Sequence, residues 1–181
     1  MPDPLPYHYR YPRPSVTTDC VIFGFDAEGL KLLLIERAND PYKGRWAFPG
    51  GFLNMDEPAE QGALRELEEE TGLTGIRVHQ LHTFSSPQRD PRGRVITIAH
   101  YALVPLQQAK AADDAAKAQW FALNGIPPLA FDHDRILRMA IHRMECHASC
   151  MHRTFTHAPL CSLTPTELQQ LFHWLQERKE E

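Results

Sequence analysis

The chain opens without hydrophobic periodicity. Residues 1–15 are rich in proline and tyrosine (YHYRYPRP); the fixed φ of proline, and the restriction it puts on the residue before it, favour an extended arm over a helix. From Val16 to Phe25 β-branched and aromatic residues predominate, and Leu30–Ile35 is a second apolar run. Asp26-Ala27-Glu28-Gly29 between them has turn chemistry, so the two runs read as a strand and its return. A Gly/Pro-punctuated stretch then extends from Pro41 to Gly51. Residues 58–71 have helical character, with Pro58 tolerated in the first turn and Gly72 placed to end the helix. Leu73–Phe84 and Val95–Val104 are further strand candidates on either side of a loop, Ser85–Arg94, and Trp120-Phe121 suits a short strand. Asp132–Cys146 carries Ile136, Leu137, Ala140, Ile141 and Met144 at helical spacing. A last helix is expected from Thr164-Pro165-Thr166-Glu167, a capping box with proline at the first helical position. Strands, helix, strands, helix make the class mixed α/β.

A length of 181 residues suits one globular domain with modest terminal elaborations. Hydrophobic residues at 43% allow a core of useful size, and a net charge of −4 argues against bulk attraction to nucleic acid or anionic lipid. An anionic ligand must therefore be met by local Arg or Lys, or by metal ions. No apolar run approaches the roughly 18 residues of a membrane span, and Met1-Pro2-Asp3-Pro4-Leu5-Pro6 lacks the regions of a secretory signal. A cytoplasmic protein is expected, in which Cys20, Cys146, Cys150 and Cys161 are thiols or metal ligands rather than disulfides.

The informative segment runs from Gly50-Gly51-Phe52 to Gly72-Leu73. On its helix Glu66, Glu69 and Glu70 fall within an arc of roughly 100°, with Arg65 beside Glu69. Ala63, Leu64 and Leu67 occupy the neighbouring arc, where they can pack on a sheet, and Gln61 and Glu68 are left for solvent. Three carboxylates on one face repel one another. Mg²⁺ offsets that cost: it binds carboxylate oxygen, keeps waters and completes its shell with phosphate oxygens. Taken alone, the run RELEEE reads as a solvated acidic helix; its surroundings decide otherwise.

Gly51, five residues, Glu57, seven residues, then Arg65-Glu66-Leu67-Glu68-Glu69-Glu70-Thr71-Gly72-Leu73 resembles the Nudix box, G-x5-E-x7-R-E-U-x-E-E-x-G-U with U aliphatic, at every fixed position. Trp46-Ala47-Phe48-Pro49-Gly50-Gly51 is similar to that family's lead-in to its catalytic helix. The resemblance covers about residues 16–145. It implies an α/β/α sandwich with a mixed sheet, preceded by the arm 1–15 and followed by a short helical extension, 146–181. It also implies a hydrolase of a nucleoside diphosphate linked to another group. Glu66, Glu69 and Glu70 with the Gly51 carbonyl would be ligands of Mg²⁺, with Mn²⁺ as a substitute. Arg65 would orient a glutamate, Glu57 would support the loop–helix geometry, and Glu57, Arg65, Glu66 and Glu69 would form the catalytic set.

Selectivity must come from outside the box. The loop Phe84–Arg94 carries Arg89, Arg92 and Arg94 among Pro and Gly, offering forked donors for an anion. Pro87, fourteen residues after Leu73, resembles a proline of the ADP-ribose pyrophosphatases. The run RDPRGR, Trp120-Phe121 and Leu129-Ala130-Phe131-Asp132-His133 resemble a branch that also includes ADP-ribose-sensing regulators. The implied reaction is ADP-ribose plus water giving AMP and ribose 5-phosphate, with Phe48, Pro87, Arg89, Arg92 and Arg94 at the substrate; NADH and diadenosine polyphosphates are alternative substrates. The general base stays open between Glu66 and the pair Asp113-Asp114. A homodimer is implied by resemblance alone.

The sensing relatives carry a winged helix after the Nudix domain. Only 47 residues follow Asp134 here, and Arg178 and Lys179 stand among Glu177, Glu180 and Glu181. Nucleic acid is therefore not the expected partner, and ADP-ribose binding without turnover is the alternative function. His142, Cys146 and Cys150 recur at i, i+4 and i+8 with His147, His152, His157 and Cys161 nearby, a donor set suited to Zn²⁺ though not in a common finger spacing; ordinary helix residues are the expectation. Cys20 reads as a small core residue. His100 and Tyr101 face either the sheet or the substrate.

Overall fold

The computed structural model describes residues 9–106, 117–154, 166 and 169–170, with the backbone alone for 147–154. Strands β1 (Ser15–Asp26) and β2 (Gly29–Glu36) pair antiparallel about the expected turn. Two short strands, β3 (Trp46–Ala47) and β4 (Gly50–Phe52), precede helix α1 (Ala59–Thr71). Strands β5 (His79–Phe84), β6 (Val95–Pro105) and β7 (Lys117–Ala122) follow, then a 3₁₀ turn (Leu123–Gly125) and helix α2 (His133–Thr154). The sheet order is β3-β2-β1-β6-β5, with β4 beside β1 and β7 beside β2. β1 and β6 run parallel from Ser15↔Val95 to Phe25↔Pro105, while the other pairs are antiparallel. The sheet is mixed, as expected.

Strand alternation divides the core into two layers. Val21, Phe23 and Phe25 of β1 join Leu30, Leu32, Leu34, Tyr101 and Leu103 under Ile136, Leu137, Ala140 and Met144 of α2. Cys20 and Ile22 point the other way, joining Leu33, Ala102 and Val104 against Ala63 and Leu67 of α1. The apolar stripe of each helix thus covers one face, giving α/β/α layers. Leu64 packs at the edge of the α1 layer, and Gln61 and Glu68 are exposed. Cys20 is fully buried and its Sγ donates to the Ala63 carbonyl at 3.3 Å. Helix α1 begins after Pro58 and ends at Gly72, whose φ of 68° is left-handed and whose N–H donates to the Glu68 carbonyl.

Two boundaries differ from the sequence expectation. Only His79–Phe84 of the run 73–84 is strand, because Gly75 takes a positive φ of 71° and breaks the segment after the helix. Helix α2 passes without a break through residue 146 to Thr154. Among the described residues no helix is long and apolar enough to cross a membrane. Of the helix expected from Thr164, residues 166, 169 and 170 are helical and the rest lie outside the described residues, as do Asp113-Asp114, His157 and Cys161.

Leu67 is fully buried at the centre of the α1 layer. Leu67→Ala is expected to lower the unfolding free energy by about 2–5 kcal/mol in a denaturant titration. A loss under about 1 kcal/mol would contradict the packing described.

Candidate active site

Glu57, Arg65, Glu66, Glu69 and Glu70 come together where β4 meets α1. Arg65 is the centre of the group. Its Nε and Nη2 grip both oxygens of Glu57 (3.0 and 2.7 Å), and its Nη1 donates to Glu66 Oε1 (2.8 Å) and Glu69 Oε2 (3.0 Å). Nη2 also reaches the Phe52 carbonyl at 3.2 Å, tying the helix to β4. The Arg65 fork holds the Glu57 carboxyl down at about 2, helped by the Asn54 N–H.

Glu66 and Glu70 are shifted the other way. Burial pushes Glu66 up, and it pushes Glu70 up to about 8 despite the N–H of Gly50 donating to Glu70 Oε2 at 2.8 Å. That N–H is presented by a backbone only glycine accepts: φ at Gly50 is 157°, and a side chain there would collide with the Thr18 carbonyl. The Glu66 carboxyl in turn fills the space where a side chain on Gly51 would start. Desolvated carboxylates offer oxygen donors of the kind a hard divalent cation takes, and such a cation would restore their charged forms. Among the described residues no three His, Cys, Asp or Glu side chains already converge as ligands; Glu66 and Glu69 are instead turned toward Arg65. On α2, His142 Nε2 and Cys146 Sγ lie 3.8 Å apart without a third described ligand.

A cleft of about 100 Å³ opens beside Gly50 and Gly51, walled by Asp19, Arg37, Phe48, Arg92, Phe131 and His133 among others. Phe48 is a wall residue whose ring stacks on His133 at 4.8 Å. Its N–H donates to His133 Nδ1 (3.1 Å), so that nitrogen carries no proton and the ring is neutral with its proton on Nε2, 3.6 Å from Asp19 Oδ1. Burial pushes His133 down in accord with this.

The three loop arginines separate. Arg89 lines the cleft, but its side chain is only 3% exposed and its fork is taken by Asp132, Nε to Oδ2 at 3.2 Å and Nη2 to Oδ1 at 2.8 Å. It lies 3.9 Å from Asp19, which also accepts from Thr97 Oγ1 at 2.6 Å. Arg89 therefore braces the loop against β1 and α2. Arg92 grips Asp90 and stands on the cleft wall. Arg94 donates to the Ser85 carbonyl at 2.6 Å, and neither it nor exposed Pro87 is among the residues that line the cleft. The reason is strand geometry: Arg94 immediately precedes β6 and is used to close the loop on itself. Sequence reasoning missed Asp19, Arg37 and His133. A carboxylate set directly before the buried apolar run Cys20–Phe23 was the available signal for Asp19.

His100 and Tyr101 are both buried away from the cleft. The Thr18 hydroxyl donates to the Ile98 carbonyl (3.0 Å), so its oxygen accepts from His100 Nδ1 (3.1 Å).

A mixed sheet between helices α1 and α2, with acidic side chains gathered beside a glycine-bordered cleft, is the architecture of a family of hydrolases. The comparisons agree, and the chain belongs to the NUDIX domain family, which matches residues 13–140. The chain is 45% identical over 131 residues to an ADP-ribose pyrophosphatase of Methanocaldococcus jannaschii, covering 72% of this chain and 75% of that one. It is 32% identical over 171 residues to an ADPR-responsive transcriptional repressor of Acinetobacter baylyi, covering 90% of this chain and 66% of the repressor. It is also similar to the NUDIX domain of Shewanella oneidensis NrtR solved with ADP ribose, with TM-score 0.68, 33% identity and coverage of 74% and 90%.

Burial pushes His100 below its ordinary value. The unfolded chain then binds the extra proton more readily, so stability from the neutral imidazole is full above about pH 6.5 and is lost as pH falls through the folded-state value. Denaturant titrations of wild type and His100→Asn should show the difference moving in the variant's favour between about pH 7.5 and 5. A difference independent of pH would contradict a neutral, buried His100.

Breaking the Arg89–Asp132 fork leaves a buried cation. Asp132→Asn is expected to cost about 3 kcal/mol, read from the denaturant midpoint; a cost within about 0.5 kcal/mol would show that the fork does not brace the loop.

Proposed function

We propose that this Nudix hydrolase cleaves ADP-ribose, with water, to AMP and ribose 5-phosphate. The observation that carries the reading is the cleft itself. It ends at Gly50-Gly51, against which Glu66 and Glu70 sit, and presents Arg37 and Arg92 on its wall. That pairing of acidic and basic borders suits a diphosphate with a neutral group at either end. The likeness to the Methanocaldococcus enzyme and to the ADP-ribose-bound NrtR domain supports the choice of substrate.

Glu66, Glu69, Glu70 and the Gly51 carbonyl would hold Mg²⁺, with Mn²⁺ able to replace it. A divalent cation bound there supplies neutralisation of diphosphate charge and activation of water. The residues of the chain do the rest. Arg65 holds Glu66 and Glu69 in reach of the cleft border, Glu57 fixes Arg65 by a two-point grip, and Phe48 shapes the wall. Proton abstraction from water belongs to Glu66 or to the Asp113-Asp114 pair. The protein works as a homodimer in this reading, to be checked by light scattering.

The test is phosphate release after phosphatase coupling, with Mg²⁺, across ADP-ribose, NADH, diadenosine tetraphosphate and UDP-glucose. ADP-ribose should be preferred, and Glu69→Gln should lower turnover about a hundredfold, near 2.7 kcal/mol of barrier. Equal rates on all four would remove the substrate assignment.

A second reading, ADP-ribose-responsive binding without turnover, has one observation in its favour. The likeness to the Acinetobacter repressor extends over 90% of the chain, beyond the residues that match the family. Tight ADP-ribose binding with no hydrolysis, together with a gel shift at stated salt, would favour it.

A further inference from the structure

We propose that Arg37 and Arg92, set against Phe131, form an anion subsite for the phosphate group of the substrate that the α1 carboxylates do not hold. This rests on the diphosphate-cleaving reading above and assigns residues to it that the Nudix box does not contain.

Arg37 follows directly on β2 and is half-buried. Its Nε donates to the Pro41 carbonyl at 2.8 Å and its Nη2 to the Asn39 carbonyl at 3.3 Å. Both acceptors are neutral, and among the described residues no carboxylate lies within ion-pair distance of it. Its charge is disfavoured first by burial and then by the neighbouring Arg92, and Asp90, Glu70 and Asp19 offset this only in part. A partly desolvated cation facing a second cation is costly unless an anion joins them. Arg92, by contrast, keeps two of its nitrogens on Asp90. Among the described residues Nη1 of either arginine makes no hydrogen bond, so each retains a donor.

The aromatic residues hold these guanidiniums without consuming donors. Arg37 Cζ lies 4.7 Å from the centre of the Phe131 ring, and Arg92 Cζ lies 5.4 Å from it and 5.1 Å from the Phe52 ring. All four residues line the cleft that ends at Gly51.

The backbone is distorted at this same point. Phe131 and Tyr42 have positive φ, 53° and 66°, and are the non-glycine residues of the described chain that do. Their rings meet edge to face at 4.9 Å. Phe131 is pinned on one side by the Ala130 N–H donating to the Trp46 carbonyl (2.8 Å), and on the other by Asp132 in the Arg89 fork. Unfavourable backbone maintained by such flanking bonds marks a place where side-chain position matters more than local comfort. The buried Arg89–Asp132 pair is thus a positioning device for Phe131, and through it for the two remaining Nη1 donors.

The arginine Nε–Hε resonances of the full chain, followed by NMR during titration with magnesium pyrophosphate, test this directly. The Arg37 signal, identified by its loss in Arg37→Lys, should shift and saturate, while that of Arg138, exposed on α2, paired with Asp134 and outside the cleft lining, should stay in place. In ADP-ribose hydrolysis, Arg37→Gln should raise KM about tenfold or more with kcat kept within about threefold, as expected for a binding contact made equally in ground and transition states. Arg37→Lys should recover part of the loss. An Arg37 signal unmoved by pyrophosphate, or an unchanged KM in Arg37→Gln, overturns the subsite. A saturating shift in a protein that does not hydrolyse ADP-ribose leaves the subsite standing and removes the substrate assignment instead.

Discussion

Repulsion among Glu57, Glu66, Glu69 and Glu70 is the constraint around which the loop and helix α1 are arranged. Left to themselves these groups would loosen the C-terminal half of the helix or turn outward to water. Arg65 prevents both by reaching three of them at once while also holding the Phe52 carbonyl, so the helix and β4 are fastened at the point where charge is densest. Glu70 is left outside this grip and is met by the Gly50 N–H alone. Its raised proton affinity is the cost of keeping a carboxylate in reserve where a cation can use it.

A second, buried charge network does for the cleft what Arg65 does for the helix. Arg89, Asp132, Asp19, Thr97 and neutral His133 tie β1, β6, the long loop and the start of α2 together beneath the cleft floor. Networks of this kind add little net stability over an apolar core, but losing one member is expensive, which makes the arrangement rigid. Rigidity here fixes Phe131 and the beginning of α2 relative to Gly50-Gly51. The acidic border and the basic border of the cleft are thereby held at a set separation, although they belong to different layers of the sandwich.

The chain itself determined its elements and its acidic group. Alternation in β1 and β6 and the apolar stripe of α1 follow from periods of 2 and 3.6 residues, which are local properties, and the grouping of Glu66, Glu69 and Glu70 follows from helix geometry alone. The turn at Asp26–Gly29 and the helix stop at Gly72 were legible for the same reason. Tertiary structure decided what each arginine does. Arg89, Arg92 and Arg94 are indistinguishable in the sequence as forked cations on one loop, yet one is buried as a brace, one faces the cleft and one closes the loop. Arg37 sits fifty-two residues before Arg89 in the numbering, and only the pairing of β2 with β1 and β3 carries it to the cleft. Its approach to Phe131 also requires a left-handed backbone that no local preference of phenylalanine would select. The physical reason is range: periodicity and capping act within a few residues, whereas the partner that satisfies or leaves open a charge is chosen by packing between segments far apart in the chain.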